Sequence, residues 1–99
     1  MRRLLVSKRA ERDLREIWVY SFKTWSETQA DRYLDLIESG FWACRDEPER
    51  GRCREDIRPG YRSRLISHHL AFYTVRDDAV VIQRVLHGSM DPDLHLDDD

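Results

Sequence analysis

The residues best suited to chemistry are basic and cluster in the second half of the chain. Six arginines lie between residues 50 and 64, and two further basic side chains follow: Arg50, Arg52, Arg54, Arg58, Arg62, Arg64, Arg84 and His87. A guanidinium group binds a carboxylate or a phosphate through two parallel hydrogen bonds. The cluster therefore predicts a surface that binds an acidic protein or a nucleic acid. For any single arginine, a solvated ion pair is the alternative.

Cleavage of RNA is the reaction that these residues could perform. It needs a base for the ribose 2′-hydroxyl, a cation for the charged phosphorane and an acid for the leaving oxygen. The residues available for these roles are Arg58, Arg62, Tyr73, Arg84 and His87. A lone histidine at the end of a strand is more often structural. We therefore predict a binding protein without catalytic residues and keep cleavage as the alternative.

Metal and disulfide chemistry have little support in the sequence. Cys44 and Cys53 are too few for a disulfide framework. His68 and His69 are adjacent, and neighbouring strand residues point to opposite faces, so they are poorly placed to share one ion. We expect no metal and no cofactor.

Charge is distributed unevenly along the 99 residues. Five of the 19 acidic residues lie in residues 91–99, which leaves 14 acids against all 17 lysines and arginines in the rest. We predict one domain over residues 1–90 and an acidic tail over residues 91–99. No apolar run approaches the roughly 20 residues of a membrane span, and the N-terminal apolar stretch is too short for a signal peptide. We expect a cytoplasmic protein that makes no membrane contact.

Two helices are predicted in the first half, after a short strand over residues 2–6. Ser7 can cap a helix over residues 8–24, and Ser26 can cap a second helix that ends near residue 46. Apolar residues recur at three-and-four spacing in both helices. Asp13 falls opposite this stripe in the first helix and is expected on the solvated face. Large aromatic side chains are expected mainly in the core, with partner contact as the alternative: Trp18, Phe22, Trp25 and Trp42.

The second half is predicted to be a loop followed by a three-stranded antiparallel meander. Prolines and glycines punctuate residues 47–60, whose length suggests a binding role. Three apolar runs follow with short turns between them, over residues 61–66, 69–75 and 79–87. On the first of these, Arg62 and Arg64 should share a face. The helical hairpin must bury its stripe against this sheet, which gives an α+β fold of two layers.

Several motifs along the chain resemble those of ParE-type toxins of the RelE/ParE superfamily. They run in order from the first helix to the end of the last strand: Ala10-Glu11-Arg12-Asp13-Leu14-x-x-Ile17-Trp18, Gln29-Ala30-x-x-Tyr33-Leu34, Pro48-x-x-Gly51-Arg52, Arg58-Pro59-Gly60-Tyr61-Arg62-Ser63, His69-Leu70-x-Phe72-Tyr73 and Val81-Ile82-x-Arg84-Val85-Leu86-His87-Gly88-x-Met90-Asp91. Together they cover nearly the whole chain. The family's plan of strand, two helices and three strands agrees with the elements predicted above.

This resemblance implies the toxin of a type II toxin–antitoxin module. ParE toxins are held inactive in a hetero-oligomer by a ParD-type antitoxin, whose C-terminal segment wraps the toxin, and DNA is reached only through the antitoxin. Released ParE proteins poison DNA gyrase, whereas the related RelE branch cleaves mRNA on the ribosome. The chain has no lysine after Lys23 and ends in acids, which favours the ParE branch because acids repel an RNA backbone. An inactive interaction module is a further alternative.

The resemblance also suggests which residues contact each partner. The residues expected to contact the target are Arg58, Arg62, Arg64, Arg84, His87 and Met90. Those expected to contact the antitoxin are Trp18, Phe22, Tyr33 and Leu70.

Overall fold

Two helices cover one face of a five-stranded sheet in the computed structural model, which describes residues 2–89. In chain order the elements are β1 (Arg3–Val6), α1 (Lys8–Thr24), α2 (Glu27–Asp46), a 3-10 turn (Pro48–Arg50), β2 (Arg52–Cys53), β3 (Arg62–Ile66), β4 (His69–Arg76) and β5 (Ala79–His87). The predicted α+β fold with a helical hairpin on a C-terminal meander is confirmed. The segment predicted as loop over residues 47–60 also contains the 3-10 turn and the two-residue strand β2.

Serine caps begin both helices, as predicted. The Ser7 hydroxyl accepts a hydrogen bond from the Ala10 N–H at 3.0 Å, and the Ser26 hydroxyl accepts one from the Gln29 N–H at 3.1 Å. Each bond satisfies one of the backbone donors left free in a first helical turn. Trp25 and Ser26 alone separate the helices, which pack as a hairpin.

The sheet has the strand order β1-β5-β4-β3-β2, in which β1 is parallel to β5 and the other neighbours are antiparallel. β1 ends at Val6, opposite Ile82, so it covers only the first part of β5. Beyond that point the start of α1 takes its place beside the strand. The Ser7 N–H donates to the Ile82 carbonyl, and the Ser7 hydroxyl donates to the Gln83 carbonyl. The edge of β5 is therefore closed by α1 where β1 stops.

The main core lies between the helices and the sheet. Its largest fully buried side chains include Tyr73, Phe41, Ile37, Ile82 and Val80. A glycine permits the close approach of α2 to β3, because a Cβ on Gly40 would overlap the Ile66 side chain. Gly40 thus costs the helix some propensity but allows the layers to meet.

A smaller apolar cluster lies on the opposite face of the sheet. Phe72 and Leu86 form its buried centre, and Ile57, Tyr61 and Leu70 pack around them. The segment between β2 and β3 thus covers part of this face.

Some sequence predictions fall outside the described residues. These are Met90 and the acidic tail over residues 91–99. Neither helix within residues 2–89 is long and apolar enough to cross a membrane.

Candidate functional site

The two strand arginines face the helical layer, on the same side as Ile66. The Arg62 guanidinium donates to the Gly51 carbonyl at 2.9 Å and thereby holds the 3-10 turn against β3. The Arg64 Nη1 atom is buried and has no hydrogen-bond partner among the described residues. Arg58 lies elsewhere, in the segment between β2 and β3 that crosses the opposite face.

Tyr73 holds the 3-10 turn from inside the core. Its side chain is fully buried, and its hydroxyl donates to the Pro48 carbonyl at 2.7 Å. Burial is the largest cause that raises the pKa of Tyr73 to about 12, and the neighbouring Cys44 adds to it, while Arg62 and Arg64 oppose it. The phenol is therefore neutral and enclosed, in the position of a structural anchor.

Arg84 forms a nearly buried ion pair with Asp13 of α1. The Arg84 Nε atom lies 2.9 Å from Asp13 Oδ2, and only about one-tenth of either side chain is exposed (11% and 10%). Asp13 Oδ2 also accepts the backbone N–H of Val85 at 2.9 Å. The prediction that Asp13 lies on the solvated face is wrong, because α1 turns this residue toward the open edge of β5. The carboxylate there replaces the missing strand neighbour.

His87 belongs to a group of polar rings at the end of the sheet where β5 finishes and β4 begins. His69 and His87 are directly opposite in the strand register, and their ring centroids lie 5.2 Å apart. The Tyr33 hydroxyl of α2 lies 2.6 Å from His69 Nδ1. Burial is the main cause that lowers the pKa of His69 to about 4, with smaller contributions from His87 and His68. His69 is therefore a neutral imidazole at neutral pH.

The residues of the RNA-cleavage alternative have different partners in the structure. Arg62 and Tyr73 hold the 3-10 turn, whereas Arg84 is bonded to α1. His87 ends β5, opposite His69 at the start of β4.

The residues predicted to contact the antitoxin lie on three separate parts of the molecule. Trp18 and Phe22 stack on α1 with centroids 5.2 Å apart, and the Trp18 indole donates to Asp31 of α2 at 2.9 Å. Tyr33 belongs to the histidine group, and Leu70 packs in the cluster on the opposite face. An antitoxin that contacts all four would have to wrap around the molecule.

The prediction that the helical aromatics lie mainly in the core is wrong for three of them. The exposed fractions are 46% for Phe22, 63% for Trp25 and 43% for Trp42. Phe22 and Trp42 lie on flanks of the helices that remain in contact with solvent, and Trp25 lies in the connector between the helices. Tyr20 packs edge-on against Trp25 and extends this exposed surface near the end of α1.

Sequence reasoning missed an apolar groove of about 300 Å³ between β1 and the hairpin. Its lining consists of Leu4, Val6, Leu14, Leu34, Glu38, Phe41 and Trp42. The signal in the sequence is the i, i+4, i+8 spacing of Leu34, Glu38 and Trp42, which places them on one flank of α2. Glu38 is the acidic side chain in this otherwise apolar lining.

Within residues 2–89 no group of three or more histidine, cysteine, aspartate or glutamate side chains could hold a metal ion. Cys44 and Cys53 are both free thiols. Burial raises the pKa of Cys44 to about 11, so this thiol is protonated and unreactive at neutral pH.

Comparison with known proteins identifies the family. Residues 4–92 match the family described as the ParE toxin of the type II toxin–antitoxin system parDE. Toxin ParE1 of Mycobacterium tuberculosis is 36% identical over 95 residues, which cover 95% of this chain and 97% of that protein. Toxin ParE1 of Caulobacter vibrioides is 36% identical over 91 residues, which cover 92% and 94%.

A solved structure shows the same fold. A chain of the chromosomal ParDE toxin–antitoxin system from P. aeruginosa superposes with a TM-score of 0.78 at 19% identity, over 88% of this chain and 96% of that one. The sequence matches span nearly the whole length on both sides, and the motifs recognised in the sequence lie within them. The chain belongs to the ParE toxin family of type II toxin–antitoxin systems.

Proposed function

We propose that this ParE-family protein is neutralised by a ParD-like antitoxin and, when released, inhibits DNA gyrase by binding it. Family membership supports the toxin role, and the structural neighbour is part of a system that pairs ParD with ParE. Gyrase and the antitoxin act in the cytoplasm, so this is where we place the protein.

The observation that carries a binding role is the exposure of large aromatic side chains on the hairpin, of which we assign Phe22 and Trp42 to antitoxin contacts. Phe22, Trp25 and Trp42 each leave more than two-fifths of their surface open to solvent. Exposed aromatic patches on a small domain mark protein contact sites, because burying them on binding releases ordered water. The candidate catalytic side chains Tyr73 and Arg84 are by contrast engaged inside the fold.

Supercoiling by purified gyrase tests the proposed target. We expect relaxed plasmid to stay relaxed when the toxin is added in excess, and supercoiling to return when the toxin is mixed beforehand with its antitoxin. The reversal by antitoxin controls for inhibition by aggregated protein. Unchanged supercoiling at high toxin excess would show that the target is not gyrase.

The target surface remains the proposed set of Arg58, Arg62, Arg64, Arg84, His87 and Met90. The RNA-cleavage alternative predicts ribosome-dependent cuts in mRNA on induction, and an inactive module predicts normal growth when the protein is expressed alone. Growth and message integrity, measured with and without the antitoxin, separate these outcomes.

The groove between β1 and the hairpin is our proposed seat for an apolar segment of the antitoxin. Trp42 forms one wall, and the Arg45 guanidinium lies 4.6 Å from its ring centroid and holds it in place. Replacing Trp42 by alanine should weaken antitoxin binding about 30-fold, as expected for loss of an aromatic anchor. Isothermal titration calorimetry measures this change.

A matched control uses an apolar residue of α2 outside the groove. Leu36 is 48% exposed and does not line the groove, so Leu36→Ala should leave antitoxin affinity within about twofold of the wild type. Equal losses in the two variants would place the antitoxin elsewhere.

A further inference from the structure

A pair of histidines at the end of the sheet has hydrogen-bond donors with no acceptor among residues 2–89. His69 begins β4 and His87 ends β5, and their rings meet nearly at right angles. One ring is partly buried and the other exposed. Neither forms an ion pair with any carboxylate in the described part of the chain.

The hydrogen bonds around His69 favour one tautomer of its ring. The Tyr33 oxygen accepts the backbone N–H of His68 at 3.3 Å, so the Tyr33 hydroxyl proton is free to point at His69 Nδ1, 2.6 Å away. Nδ1 then accepts, and a neutral imidazole carries its proton on Nε2. The lowered pKa of His69, about 4, keeps it in this neutral form.

His87 is held in the same tautomer by the turn that follows β5. The backbone N–H of Ser89 donates to His87 Nδ1 at 3.1 Å, and the Ser89 hydroxyl lies 2.8 Å from the same atom. The proton of the neutral ring is therefore on Nε2 here as well.

The groups around the pair leave both Nε2–H donors available. Tyr33 of α2 is engaged at His69 Nδ1, and Asp13 of α1 is engaged by Arg84 and Val85. His68, in the turn between β3 and β4, adds only repulsion toward a second positive charge. Both donors are therefore open to an acceptor from outside residues 2–89.

We propose that the Nε2–H groups of His69 and His87 bind a carboxylate side chain of the antitoxin, an inference that rests on the proposed function. A carboxylate accepts only, and it has two oxygens to share between two donors. Residues 1–90 carry 17 lysines and arginines against 14 acids, which favours an acidic partner. Tyr33, a residue expected to contact the antitoxin, lies directly beside the pair.

A protein carboxylate fits the site better than a nucleic-acid phosphate. A phosphate backbone needs a track of several cations, and the strand arginine Arg62 and the edge arginine Arg84 are bonded to the protein itself. His87 is also in the proposed target set. The antitoxin and the target therefore compete for this end of the sheet.

The antitoxin affinity of two His87 variants tests the proposal. His87→Gln keeps an N–H donor in place of the Nε2–H group, so it should bind antitoxin within about threefold of the wild-type affinity. His87→Ala removes the donor and should weaken antitoxin binding about tenfold.

His68→Gln is the matched control, because it removes a neighbouring histidine whose side chain bonds neither ring. It should keep the wild-type affinity for the antitoxin. Equal affinities of wild type and His87→Ala would overturn the proposal while leaving antitoxin binding intact. A wild type that binds no antitoxin would instead contradict the proposed function.

Two further measurements test the position of the imidazole protons and the class of partner. Nitrogen-15 NMR of the imidazoles should show protons on Nε2 of both rings at pH 8, and protons on Nδ1 would overturn the proposal. A short single-stranded RNA should bind wild type and His87→Ala equally. Loss of RNA binding in that variant, with antitoxin affinity unchanged, would assign the pair to nucleic acid and contradict the carboxylate.

Discussion

Replacement of Asp13 by alanine should lower the free energy of unfolding by about 3–5 kcal/mol, the usual cost of removing one partner from a buried ion pair. The change leaves the nearly buried Arg84 guanidinium without this carboxylate, and it also removes the acceptor of the Val85 N–H. Both losses fall where β1 no longer covers β5. Denaturation by urea, followed by circular dichroism, measures the effect.

An exposed ion pair gives the control. Arg45 and Asp46 lie 2.8 Å apart, but the Asp46 side chain is 58% exposed, so Asp46→Ala should cost less than about 1 kcal/mol. Similar losses of unfolding free energy for Asp13→Ala and Asp46→Ala would show that the buried ion pair stabilises the fold no more than the exposed one.

The Asp13 result also bears on the proposed target surface. If Arg84→Ala abolishes toxicity, part of that loss reflects the fold, because Arg84 secures α1 to the sheet edge. The double replacement of Asp13 by asparagine and Arg84 by methionine removes both charges, keeps an acceptor for the Val85 N–H and should recover much of the stability. Toxicity of that stable double variant isolates the contact that Arg84 makes with a target.

Local signals explain how well the helices could be predicted. The predicted range of residues 8–24 matches α1, and the end predicted near residue 46 matches α2. Caps act within three residues of each other in sequence, and the apolar stripe repeats every three or four residues. Because these signals involve residues close together in sequence, they predict the helices without knowledge of the tertiary structure.

Contacts between distant residues explain what the sequence did not reveal. Asp13 and Arg84 are 71 positions apart, and their pairing depends on the early end of β1. Large aromatic residues are typical of protein cores, which is why the sequence predicts a buried Trp42. In the structure Trp42 is exposed, because it lies on a flank of α2 that does not pack against the sheet. The pairing of His69 with His87 likewise follows from strand register, which spacing alone does not determine.

Replacement of Gly51 by alanine should destabilise the protein by about 3 kcal/mol, at the upper end of the usual cost of overpacking a core. A Cβ at this position would overlap the Tyr73 hydroxyl, which is fully buried and held by Pro48. Gly88→Ala is the matched control, since its nearest new contact is the His68 carbonyl at an ordinary 3.4 Å. It should change the stability by less than about 0.5 kcal/mol, and an equal effect in both variants would contradict the overlap.

A Tyr73→Phe variant tests whether the Tyr73 hydroxyl serves stability alone or also toxicity. The change removes the hydroxyl, leaves the Pro48 carbonyl without its donor and should cost about 1–2 kcal/mol. In a protein that already carries Gly51→Ala, Tyr73→Phe should cost less stability, because it also removes the oxygen atom that the new methyl group would overlap.

Tyr73→Phe should still arrest growth and leave mRNA intact, since a hydroxyl enclosed in the core touches no substrate. Loss of toxicity in a variant that remains folded would show that this hydroxyl does chemistry and would favour RNA cleavage over binding.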